Sequence, residues 1–142
     1  MTLSRDETIR LLAGLPLFAG VDPDGLAMVA DRTTELAVPA GRVLAKQGDI
    51  GTGFFVIVSG SVRVVRDAET LATLGPGDFF GELSILDHQP RLAQVVSLEP
   101  TTCLALASWD FEAVVREQPS VALAILRVLA GRLRGLTEAH RH

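Results

Sequence analysis

The sequence predicts an α+β fold in which helices at the two ends flank a barrel of about eight short antiparallel strands. Three observations carry this reading. Between Glu35 and Ser108 short apolar runs alternate with turns, most bearing glycine or proline, the texture of a sandwich or barrel. On either side of that stretch apolar residues recur at helical spacing. The whole chain, 142 residues with 48% hydrophobic and 21% charged residues, has the balance and length of one globular domain with its own core. One domain over residues 1–142 is therefore expected, with N-terminal helices in 1–34, the barrel in 35–108 and C-terminal helices in 109–142.

The elements follow in order. Arg5 to Ala13 is helical, and Leu15-Pro16-Leu17-Phe18 is an apolar elbow. Asp22-Pro23-Asp24 offers a helix N-cap followed by proline in the first turn, with Leu26, Val29 and Ala30 behind it at helical spacing. The strand runs are Leu36–Val38, Val43–Ala45, Phe54–Val58, Val62–Val65, Leu71–Leu74, Gln94–Leu98 and Cys103–Ala107. Pro39-Ala40-Gly41, Gly48-Asp49, Ser59-Gly60-Ser61, Gly75-Pro76-Gly77-Asp78 and Glu99-Pro100 supply turns between them. Phe54 to Val58 is continuously apolar, which puts it in the middle of the barrel. After Trp109 one helix runs from Asp110 to Gln118, and Pro119 interrupts it. A second helix runs from Ser120, its expected cap, to about Glu138. In it Ala122, Leu126, Leu129, Leu133 and Leu136 alternate steps of four and three. No internal repeat is present.

Several function classes are disfavoured by composition. The net charge is −4 and the pI about 5.3, whereas nucleic-acid binders usually present a basic face. Arg127, Arg132, Arg134 and Arg141 read as the solvated side of a helix, so no direct nucleic-acid contact is expected. Cys103 is the only cysteine; it excludes an intramolecular disulfide and reads as a buried structural thiol, in keeping with a reducing cytoplasm. Asp6 and Glu7 precede the first apolar run, and Gly14 and Pro16 interrupt it, unlike a signal peptide. No uncharged apolar stretch reaches the roughly 18 residues that span a bilayer, so no membrane association is expected. No Ser/His/Asp set or paired carboxylates stand out; the chain reads as a non-enzyme with no catalytic residues, no metal and no cofactor.

The chemistry lies in Gly75 to Val95, GPGDFFGELSILDHQPRLAQV. Gly81 lets backbone approach a ligand closely. Leu83-Ser84-Ile85-Leu86 forms at most one helical turn, whose leading N–H groups favour an anion. Arg91 follows a proline and carries a fork of donors suited to a phosphodiester. Glu82 would repel a phosphate, so it makes sense as the grip on another part of the ligand. A ribose 2′-hydroxyl, which a carboxylate can orient, is the natural candidate. An anion grip beside a hydroxyl grip suits a cyclic ribose phosphate. A plain Glu82–Arg91 loop pair is the alternative, and such pairs contribute little.

With these residues on the page, the sequence resembles the cyclic-nucleotide-binding domain family. The match is to its phosphate-binding cassette, here residues 80–95, in Phe80-Gly81-Glu82-Leu83-Ser84-Ile85-Leu86 and Pro90-Arg91-Leu92-Ala93-Gln94-Val95. A second family pattern fits Gly48-Asp49-Ile50-Gly51, the apolar Phe54 to Ile57, and Gly60, and Pro16-Leu17-Phe18 looks like the family's opening. The resemblance implies a jelly-roll barrel and a cyclic nucleotide as ligand. It implies that Glu82 binds the ribose 2′-hydroxyl, with the backbone at Gly81 and Leu83 along the same edge. Arg91 would pair with the cyclic phosphate, helped by the N–H groups of Leu92 and Ala93. The last helix would cover the base, with Leu129, Arg132, Leu133 and Leu136 as its lid residues. Two departures stand out: Gln94 replaces the usual Ser or Thr, and Leu92 occupies a place where relatives that prefer cGMP carry a hydroxyl for the guanine 2-amino group. Leu92 cannot make that contact, which favours cAMP over cGMP.

Three rival readings remain. A metal-holding cupin barrel needs several histidines inside the barrel; His88, His140 and His142 are the only ones, in the cassette loop and at the chain end. A catabolite-activator-type regulator or a channel would contain this as its sensing piece, and too few residues follow Leu136 for a helix-turn-helix. A ligand-independent domain could use the same fold for interaction, for example as a homodimer through its last helix. A sensor would also need an effector protein, which no segment names.

Overall fold

The computed structural model describes residues 3–49 and 53–139. Within it Arg32–Glu112 forms one compact unit, and Ser4–Asp31 with the residues from Ala113 onward forms the other.

In the first unit eight strands make two antiparallel four-stranded sheets. β1 (Thr34–Val38), β8 (Thr101–Ala107), β3 (Gly53–Ser59) and β6 (Phe79–Phe80) lie side by side in that order. The other sheet runs β2 (Val43–Ala45), β7 (Gln94–Ser97), β4 (Val62–Arg66), β5 (Glu69–Leu74). The expected jelly roll is thus present, as two sheets rather than a closed barrel. Seven strands coincide with the apolar runs to within a few residues at each end. The eighth, β6, is a two-residue strand inside the cassette segment that no alternation in the sequence marks. Tertiary pairing creates it: Phe55 and Val56 of β3 lie opposite Phe80 and Phe79.

β3 is buried on both faces, as its unbroken apolar run requires. On one face Phe54 lies with its ring centroid 5.3 Å from Phe79 and 4.6 Å from Phe111. On the other, Ile57 joins Ala45, Val62, Phe80, Val95 and Cys103 in a cluster that takes residues from both sheets. There Phe55 stacks on Phe80 at 4.9 Å and 15°. Cys103 is fully buried, and that burial pushes its thiol up to about 11, which matches the inert reading. The turn Gly75–Asp78 docks on β3: the N–H of Gly77 donates to the Ile57 carbonyl at 2.8 Å, and the N–H of Ile57 donates to that of Asp78 at 2.9 Å. These two bonds deliver β6, and with it Gly81, alongside β3.

In the second unit α1 (Arg5–Ala13) begins with a capping box between Ser4 and Glu7, and a 3₁₀ turn over Pro16–Phe18 forms the elbow. α2 (Pro23–Arg32) starts as predicted, with the Asp22 carboxylate accepting from the N–H of Gly25 at 2.8 Å. α4 (Ser108–Glu117), whose residues up to Glu112 belong to the first unit, begins two residues before the predicted start. α5 (Pro119–Ala139) starts one residue before its expected cap. Ser120 does not cap it: proline already has the φ of a first helical residue, so the N–H groups of Val121 and Ala122 donate to the carbonyl of Gln118. The hydroxyl of Ser120 accepts instead from the N–H of Asp22, at 3.3 Å. A Cβ on Gly25 would lie 3.1 Å from Val121 Cγ2, so α2 and α5 meet closely at that glycine.

Candidate functional site

The site begins where β6 ends. Gly81 has φ 99°, a left-handed value that an L side chain resists. A Cβ there would run into the carbonyl oxygen of Gly53 and stand 3.3 Å from Arg91 Nη1. Gly81 thereby turns the chain and leaves room for an arginine from a different segment. Directly after it α3 (Glu82–Asp87) forms, six residues and so somewhat longer than the single turn predicted. Glu82, in its first turn, is only 4% exposed. Burying a carboxylate is expensive unless other groups compensate, and the charge of Arg91 acts together with that of Glu82.

Arg91 is half-buried. Its guanidinium donates to the Gly53 carbonyl at 3.2 Å. Burial holds it below the ordinary guanidinium value, while the charges of Glu82 and Asp49 act in the opposite direction. Its backbone is held as firmly as its side chain: the N–H of Arg91 donates to the Asp49 carbonyl at 2.7 Å, and the N–H of Gly48 donates to the Arg91 carbonyl at 2.9 Å.

Gly81, Glu82 and Arg91 are therefore brought together from the ends of one cassette. Leu83 and Leu92 are exposed, Leu92 at 61%, and Ala93 is half-buried. Leu129, Arg132, Leu133 and Leu136 all belong to α5, in the second unit. Sequence reasoning matched Gly48-Asp49 to a pattern but assigned it no task; here the pair clamps Arg91. It missed Gly53 altogether, whose carbonyl meets both Gly81 and Arg91. The signal was available only as a glycine at the start of an apolar run. Ile50 and Gly51 of the same pattern lie outside the described residues, as do His140, Arg141 and His142. Among the described residues no three His, Cys, Asp or Glu side chains come together as metal ligands, and no helix is long and apolar enough to cross a membrane.

Comparison with known proteins places the chain among relatives of one family. The sequence pattern of the family described as "Cyclic nucleotide-binding domain" matches residues 35–118. The cyclic AMP receptor protein of Thermus thermophilus is 38% identical over 128 residues, covering 87% of this chain and 59% of the receptor. A cyclic nucleotide-gated potassium channel of Mesorhizobium japonicum is 35% identical over 113 residues, 80% of this chain and 31% of the channel. The crystal structure of the Thermus thermophilus catabolite activator protein superposes with a TM-score of 0.78 at 37% identity, covering 87% of this chain and 61% of that one. The chain thus spans about six-tenths of the length of the receptor and less of the channel. The cassette, the two-sheet jelly roll and these matches agree: the chain belongs to the cyclic nucleotide-binding domain family.

Proposed function

We propose that this chain is a sensor for cAMP, preferred over cGMP, which couples occupancy of the cassette to movement of α5 and passes it to an effector protein. The carrying observation is the convergence of Gly81, buried Glu82 and half-buried Arg91 within a single cassette. A guanidinium depressed by burial gains from an anion, and a cyclic phosphate supplies one. The N–H groups of Leu92 and Ala93 assist that contact, while Glu82 orients the ribose 2′-hydroxyl beside Gly81 and Leu83. Leu92 presents no hydroxyl to a guanine 2-amino group, which supports the preference for cAMP. The role is regulatory and cytoplasmic, without catalysis.

Calorimetric titration with cAMP, cGMP and 2′-deoxy-cAMP tests this. Arg91→Ala should weaken cAMP by at least tenfold, since truncating one partner of a buried charge pair costs about 2–5 kcal/mol. Glu82→Ala should weaken cAMP strongly and 2′-deoxy-cAMP much less, because a hydrogen bond to a charged group contributes about 1.5–3 kcal/mol. Equal losses for both nucleotides would remove Glu82 from the ribose, and an Arg91 variant that binds like the wild type would overturn the phosphate assignment. A second reading, a ligand-independent domain that dimerises through α5, is favoured by the exposure of Leu133 at 65% and Leu136 at 60%. Wild-type protein that binds no nucleotide and sediments as a dimer would establish it.

A further inference from the structure

We infer that Gln47 is a positioning residue for Arg91, acting through an amide latch on the β4–β5 turn. The inference rests on the cyclic-nucleotide reading for its effect on affinity, and on geometry alone for its effect on the loop. Lys46 to Asp49 form a β-turn closed by the N–H of Asp49 on the Lys46 carbonyl at 3.3 Å, with Gly48 at its third position, φ 88°. Gln47 therefore stands at the corner of the turn whose next two residues hold both backbone polar groups of Arg91. Its side chain grips Asp67: Nε2 donates to the Asp67 carboxylate at 3.1 Å, and Oε1 accepts from the N–H of Asp67 at 3.3 Å.

Asp67 is the first residue of the two-residue loop between Arg66 and Glu69, with φ 50°. Its N–H points out of that loop rather than into a ladder, so the Gln47 amide gives it a partner. Beyond its continuity with β2, the 46–49 turn is thus tied to Arg91 on one side and to the hairpin tip on the other. Both Gln47 contacts pair donor with acceptor in opposite senses, which specifies an amide. A glutamate could only accept, and would stand beside a second carboxylate. Without the latch the turn loses its tie to the hairpin tip, and the Arg91 backbone that it holds is less firmly placed.

The test begins without ligand. In Gln47→Ala the amides of Gly48 and Arg91 should exchange with solvent about tenfold faster, while those of Val56 and Leu104 in the sheet stay unchanged. Gln47→Glu should behave the same way. The double variant Gln47→Glu, Asp67→Asn should restore slow exchange, because the new asparagine donates to the new glutamate. Calorimetry with cAMP should show a loss of about three- to tenfold for both single variants and recovery in the double variant, the range of one or two exposed hydrogen bonds. Unchanged exchange at Gly48 and Arg91 in the single variants overturns the latch. Faster exchange with unchanged affinity overturns the positioning role. Wild-type protein that fails to bind cAMP sinks the ligand reading instead, and the exchange measurement still decides the latch.

Discussion

Gly81 shows how much one residue can hold. Its φ of 99° and the Gly53 carbonyl against its missing side chain are independent reasons for glycine. In Gly81→Ala the strained backbone alone should cost about 1–3 kcal/mol, and the displaced Gly53 carbonyl would release Arg91. Urea denaturation should read the stability loss, and cAMP affinity should fall with it. Gly75→Ala is the matched control, since a Cβ there meets nothing within 4 Å, and it should stay within about 0.5 kcal/mol of wild type. At this scale the sequence was legible wherever a residue type implies its chemistry. Gly81, Glu82 and Arg91 could be picked out by type and spacing. Gly53 and Gln47 could not, because their partners lie 38 and 20 residues away along the chain.

Among elements, the β4–β5 hairpin carries a visible imperfection. Arg66 pairs with Glu69, leaving Asp67 and Ala68 as a two-residue loop with φ 50° and 67°. Such a loop matches the twist of the strands and favours glycine or asparagine at both places; alanine there is strained by about 1–2 kcal/mol. Ala68→Gly should therefore stabilise the protein by about 1 kcal/mol, seen as a higher urea midpoint with an unchanged slope. β5 itself is an edge strand with a register shift opposite Val64 and Val65, a device that discourages pairing with another chain. The start of α5 illustrates a different limit. A serine after a proline looked like a cap, yet Pro119 entered the helix first and freed Ser120 to bind the N–H of Asp22.

On the scale of the whole molecule, the proposed sensing requires that binding be coupled to an output. A switch needs a ligand that prefers one arrangement over another, and α5 is the proposed moving part. Gly131 and Gly135 weaken its outer half by roughly 1 kcal/mol each relative to alanine, and beyond the helix's own backbone neither has a described atom within 4 Å of where a Cβ would stand. Amide exchange over residues 128–139 should slow when cAMP saturates the protein. Slowing that is independent of protein concentration supports Leu129, Arg132, Leu133 and Leu136 as a lid. Slowing that grows with concentration supports a homodimer through α5. Identical exchange with and without cAMP would make this segment static scaffold.

The sequence by itself determined the helix–strand–helix order, seven of the eight strands and the family, because each depends on local periodicity, turn chemistry or motif spacing. It also determined which cassette residues carry charge and which turn must be glycine. Only the tertiary structure decided that the strands divide into two sheets, that Phe79 and Phe80 pair with β3, and that Arg91 is clamped by Gly48 and Asp49 while its guanidinium meets the Gly53 carbonyl. These are contacts between segments distant along the chain, fixed by strand pairing and by the demand that buried polar groups find partners. Local pattern holds no trace of which partner that will be.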